Sequence, residues 1–180
     1  MVRYVVFLRA INVGGHTVTK ENLQKAFTSF GFHDLVFYKQ SGNVIFETDT
    51  SNPEAVKMQI ESKLTKELGF EVNAFVRTIS QLKQLLALNP FKTIKEEEVD
   101  FQVTFLSLMP EDVSLKLPLR IPNSTADILS VCGTEVFSVT RRQGDGGKPN
   151  PFLESHLNVK ATTRNWRVVK SIAELYAEIE

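Results

Sequence analysis

LVFYKQSGNVIF, residues 35–46, is two short apolar, β-branched and aromatic runs separated by a turn. The runs are Leu35 to Tyr38 and Val44 to Phe46, and Ser41, Gly42 and Asn43 between them carry the backbone freedom and local hydrogen bonding that a tight reversal needs. The stretch therefore predicts an antiparallel hairpin.

Working outward, Tyr4 to Leu8 reads as a strand, followed by turn chemistry at Asn12, Gly14 and Gly15. A helix with Leu23, Ala26, Phe27 and Phe30 on one face comes next and ends at Gly31. Beyond the hairpin, Asn52 is placed to cap a helix with Pro53 at its first position. Val56, Ile60, Leu64 and Leu68 recur every four residues along it, and Gly69 closes it. Val72 to Val76 is a fourth strand. The order β-α-β-β-α-β to about residue 78 is that of a ferredoxin-like plait.

The second half opens with a helix from Ser80 through Leu88, stopped by Asn89 and Pro90, and a strand from Phe101 to Leu108. Ile128 to Val131 and Val136 to Thr140 form a hairpin pattern around Gly133, and a Gly- and Pro-rich loop runs from Gln143 to Pro151. A last helix follows, with Thr163 as its cap, Arg164 and Asn165 in its first turn, and Trp166, Val169, Ile172, Ala173 and Tyr176 on its apolar face. The expected architecture is α+β: two ferredoxin-like (α-β plait) subdomains packed together, residues 1–78 and 79–180.

With 21 basic and 21 acidic residues in 180, the formal net charge is zero, which argues against a general nucleic-acid footprint. Local charge is uneven. Basic residues crowd Arg141 to Lys170, and Glu96, Glu97, Glu98, Asp100, Glu111 and Asp112 form an acidic stretch that offers an alternative reading as a protein-docking surface. The single cysteine, Cys132, lies in an apolar run and reads as a buried structural thiol. No disulfide, secretory signal or membrane span is indicated, so the expected location is cytoplasmic.

Familiar catalytic patterns are missing. There is no dinucleotide or Walker glycine fingerprint and no nucleophile elbow. His16, His33 and His156 lack zinc-ligand spacing, so neither metal nor cofactor is expected. Three segments hold more polar and glycine residues than packing requires: Arg9 to His16, Lys39 to Asn43 and Thr162 to Trp166. The first could aim backbone N–H groups at an anion. In the third, Arg164, Arg167 and Lys170 come early in a helix whose acidic residues come late, against the helix dipole, and a bound anion would compensate.

At these segments the chain resembles the domain-of-unknown-function family numbered 1697. Leu8-Arg9-Ala10-Ile11-Asn12-Val13-Gly14-Gly15 is similar to its opening signature, Tyr38-Lys39-Gln40-Ser41-Gly42-Asn43-Val44 to its hairpin signature, and Thr162-Thr163-Arg164-Asn165-Trp166 to its closing one. Ala10 stands where the family usually has glycine, His16 where lysine is common and Val168 where threonine often follows. The resemblance implies two α/β subdomains and no established activity.

The leading functional expectation is binding of a small anionic or nucleotide-like ligand in a cleft formed by the three signatures, with Arg9, Asn12, Gly14, Gly15, Ser41, Asn43, Arg164 and Asn165 as contacts. RNA binding competes, because the same strand order serves RNA-recognition sheets and Phe37 and Phe46 could be stacking platforms.

Overall fold

The computed structural model describes residues 1–9, 11, 18–39, 42–95, 99–110, 115–142 and 148–176. The chain divides into two compact units, Met1–Leu82 and Lys83–Glu180. It is a mixed α+β protein with two antiparallel sheets and, among the described residues, five helices.

In the first unit the order is β1 (Val2–Arg9), α1 (Lys20–Thr28), β2 (His33–Phe37), β3 (Asn43–Thr48), α2 (Pro53–Leu68) and β4 (Asn73–Thr78). The strands lie side by side as β2-β3-β1-β4, all antiparallel. Helix boundaries follow from capping. Thr19 Oγ1 accepts the Asn22 N–H at the start of α1. Asn52 Oδ1 accepts from Glu54 and Ala55 at the start of α2, with Pro53 at the first position, where a missing N–H costs nothing. Gly69 ends α2 at φ 77°, its N–H returning to Thr65 O at 2.9 Å.

The period-two alternation of the strands sends Tyr4, Val6, Leu8, Val44, Phe46, Ala74 and Val76 to one face, where Leu23 and Phe27 of α1 and Val56, Ile60 and Leu64 of α2 cover them. Phe27 is central, with ring centroids 5.1 Å from Phe30, 5.9 Å from Phe37 and 6.2 Å from Phe46. Val5, Phe7, Ile45 and Phe75 point to the opposite face and are also buried.

The second unit follows α3 (Ile79–Leu88), which contains the unit junction. It comprises β5 (Val99–Leu106), β6 (Leu119–Arg120), β7 (Ala126–Cys132), β8 (Glu135–Arg141), α4 (Asn150–Leu157), β9 (Ala161–Asn165) and α5 (Trp166–Leu175). Its sheet order is β6-β7-β8-β5-β9. The β7–β8 hairpin turns at Gly133, φ 60°, and a register shift near its middle marks a bulge. One face is aliphatic, with Leu106, Ile128, Val136 and Ala161 under Leu153 of α4. Rings dominate the other, where Phe91 stacks on Phe101 at 4.4 Å and meets Trp166 edge-on at 5.5 Å.

Several expectations are corrected here. Residues 161–165 form an edge strand, so Thr163 is not a helix cap and Arg164 is not in a first turn. Asn165 caps α5 instead, its Oδ1 accepting from Arg167 N–H at 2.9 Å. Pairing with β5 satisfies one side of this segment's backbone along five paired positions, which outweighs the local cap signal of Thr163. The α4 helix was not foreseen, because Pro149 and Pro151 read as loop although proline is well tolerated in a first turn. β5 ends at Leu106, leaving Leu108 exposed. Cys132 is exposed at the hairpin turn rather than buried.

Candidate functional site

In the first unit the opening and hairpin signatures meet at one end of the sheet. Phe7 lies opposite Asn43 in register, the Leu8 N–H donates to Gly42 O at 2.8 Å, and the Tyr38 N–H donates to Asn43 O at 2.9 Å. The turn is held from inside as well: Asn43, 1% exposed, donates its amide N–H to Tyr38 O at 3.2 Å. Lys39 takes the left-handed conformation, φ 56°, and its ammonium lies 5.3 Å from the centre of the Tyr38 ring.

Arg9 is the last residue of β1 and sits opposite Asn73 of β4, to whose Oδ1 its guanidinium donates at 3.4 Å. Asn73 in turn donates to Glu71 at 2.8 Å. Directly paired residues share a face, so Arg9, Asn43 and Asn73 share the face that carries Val5, Phe7, Ile45 and Phe75. The polar residues occupy its end, and the apolar ones its middle. A half-buried guanidinium beside amide groups there can grip a carboxylate or phosphate through two parallel N–H donors.

Of the other contacts expected in this unit, Asn12, Gly14, Gly15 and Ser41 lie outside the described residues. The α1 helix begins at Lys20.

In the second unit, Arg164 is on β9 opposite Val103, and its Nη1 donates to Thr162 Oγ1 at 2.8 Å and Thr163 O at 2.9 Å. Desolvation lowers its pKa to about 10, the mark of a cation held in a poorly hydrated place. Asn165 is exposed and occupied in capping α5. Asn73 was missed by sequence reading because one asparagine within a strand carries no motif; only its register with Arg9 identifies it.

Phe46 is fully buried and stacked on Phe32 at 4.3 Å, while Phe37 packs edge-on against Phe27. Phe46 belongs to the helix-covered core and offers no face for base stacking, while Phe37 is partly buried against that core.

Part of the basic run is matched locally by acidic groups. Asp127 is gripped by Arg120 at 3.1 Å and Arg141 at 3.0 Å, Arg142 lies 3.4 Å from Asp100, and Lys170 pairs with Glu174 on α5. Glu96, Glu97, Glu98, Glu111 and Asp112 of the acidic stretch lie outside the described residues. Among the described residues no group of three His, Cys, Asp or Glu is arranged to hold a metal ion, and no helix is long and apolar enough to cross a membrane.

Over 97% of its length, the chain superimposes on 98% of the conserved bacterial protein SP0830 from Streptococcus pneumoniae, with a TM-score of 0.63 and 18% sequence identity. That likeness is one of fold. No curated protein matches the chain in sequence. The family described as "Protein of unknown function (DUF1697)" matches residues 1–137, which contain the opening and hairpin signatures and stop short of the closing one. The chain belongs to this family of proteins of unknown function, DUF1697.

Proposed function

We propose that the first unit binds a small anionic or nucleotide-like ligand at the end of its sheet, where the opening and hairpin signatures lie together. Arg9, Asn12, Gly14, Gly15, Ser41 and Asn43 are its contacts. The supporting observation is the 2.8 Å bond from Leu8 N–H to Gly42 O, which ties the start of one signature to the turn of the other with Arg9 adjacent. Arg9 supplies charge and bidentate geometry, and the buried amide of Asn43 stiffens the turn that would face the ligand. In the second unit, Arg164 and Asn165 belong to the same reading. A guanidinium already stripped of water gains more from an anion than a hydrated one does.

Each unit is read as a ferredoxin-like plait. Counting from the β4 edge, the first sheet runs fourth, first, third, second, and β9, β5, β8 and β7 repeat that order in the second.

The test is a thermal-shift titration with pyrophosphate, AMP and citrate. A ligand at a hundred times its Kd stabilises by about 2.7 kcal/mol. The wild type gains that stability with at least one of them, and Arg9→Ala loses the gain. No shift of the wild type with any of the three contradicts the reading.

A further inference from the structure

The strands β4 and β9 each end a sheet, and they are built alike. The Leu8 and Leu106 N–H groups turn away from them, to Gly42 O and Thr134 O at 2.8 Å each. The residues opposite, Ala74 and Ala161, therefore direct their own backbone groups outward at the sheet edge. By alternation Val76 and Thr163 do the same. Side chains take the matching groups in both strands. Glu61 of α2 accepts the Ala74 N–H at 2.9 Å, and Glu154 of α4 accepts the Ala161 N–H at 2.8 Å. Two residues on, the Val76 carbonyl accepts from Arg77 Nη1 at 2.8 Å and the Thr163 carbonyl from Arg164 Nη1 at 2.9 Å. In each case the arginine stands three residues after the alanine, and the glutamate comes from the helix just before the strand.

The opposite edges are irregular instead. β2 pairs with β3 through a register shift between His33 and Val36, with Asp34 at φ 49°, and β6 is two residues long. Bulges and shortness blunt an edge, whereas β4, of six residues, and β9, of five, are regular enough to invite another strand. Two copies of one such edge can lie antiparallel about its middle, each outward N–H meeting the other's carbonyl. That self-complementarity makes a second copy of this chain the guest these edges fit.

We propose that Glu61 with Arg77, and Glu154 with Arg164, are latches that close the β4 and β9 edges to a second copy of this chain. Each latch occupies one donor and one acceptor two residues apart, groups that an antiparallel neighbour needs for its ladder. An incoming strand has to displace charge-assisted bonds and offers only neutral peptide groups in return. All four side chains are half-buried, which holds them in place. No member of the β4 latch belongs to the proposed anion site, so its test is independent of that reading.

The experiment is sedimentation equilibrium of the full chain, of its Glu61→Ala/Arg77→Ala double variant and of the Glu61→Gln/Arg77→Lys counterpart, with amide exchange read at Ala74 and Val76. The wild type and the conservative variant sediment at the mass of one chain, because glutamine still accepts and lysine still donates. The alanine double variant keeps its near-ultraviolet circular dichroism and passes to twice that mass as concentration rises, with exchange at Ala74 and Val76 slowing in step. In dilute solution Glu61→Ala alone speeds exchange at Ala74 about tenfold, as the loss of one hydrogen bond allows, and Glu61→Gln does not. A wild type that pairs by itself, an alanine double variant that stays single, or unchanged exchange at Ala74 in Glu61→Ala overturns the proposal. Association with lost near-ultraviolet dichroism, or without slowing at Ala74 and Val76, is aggregation through exposed core and overturns it equally.

Discussion

Thr104 and Thr163 face each other across β5 and β9 with their hydroxyl oxygens 2.7 Å apart. Thr163 gives its own proton to Asn150 Oδ1, so it accepts from Thr104, and one short relay joins two strands to the first residue of α4. Thr163→Val would leave the fully buried Thr104 hydroxyl and the Asn150 carbonyl without this partner, at a cost of about 1–3 kcal/mol. Urea unfolding measures that loss, and Thr163→Ser, which restores the hydroxyl, recovers most of it.

The ends of α2 depend on two residues that act differently. Asn52→Ala removes the acceptor for two N–H groups and costs about 0.5–2 kcal/mol. At Gly69 a Cβ would meet nothing within 4 Å, so Gly69→Ala costs only the left-handed backbone, about 1–2 kcal/mol. The sites lie at opposite ends of a 16-residue helix, so their effects add in the double variant.

Tyr4 makes alkaline pH destabilising. Burial raises its pKa above 10, and its hydroxyl donates to Thr50 O at 3.1 Å. Above pH 10 the unfolded chain loses this proton more readily than the folded one, so Tyr4's contribution is complete below pH 10 and disappears as pH climbs through the folded value. Arg164, with its pKa lowered to about 10, acts oppositely, because its folded form deprotonates first and its penalty is relieved as pH rises beyond 10. Tyr4→Phe therefore shows a shallower fall in melting temperature above pH 10 than the wild type.

The first unit was legible almost element by element, because its signals are local and agree. The Ser-Gly-Asn turn, the Asn52-Pro53 start and the glycine after α2 each act within a few residues, and periodicity set the faces. The second unit was harder. Thr162 to Asn165 carry a genuine cap signal, but the same residues complete a ladder with Gln102 to Phe105, a pairing of distant segments that no window of sequence reveals. In β5 and β8, Gln102 and Thr104 alternate with Val103 and Phe105, and Ser138 and Thr140 with Phe137 and Val139, which puts the polar residues on one face. The structure buries Thr104, Ser138 and Thr140 on it. For the candidate site, Arg9 and Asn43 stood out in sequence as polar residues ending apolar strands, whereas Asn73 emerged only from register.

The most direct test of anion binding is a two-dimensional amide NMR titration of the full chain with pyrophosphate, read at Leu8, Tyr38, Gly42 and Asn43. Saturable shifts at these amides that vanish in Arg9→Ala, with Val56 to Leu64 of α2 unmoved, are the predicted result. Shifts that do not saturate, or that persist unchanged in Arg9→Ala, would contradict it.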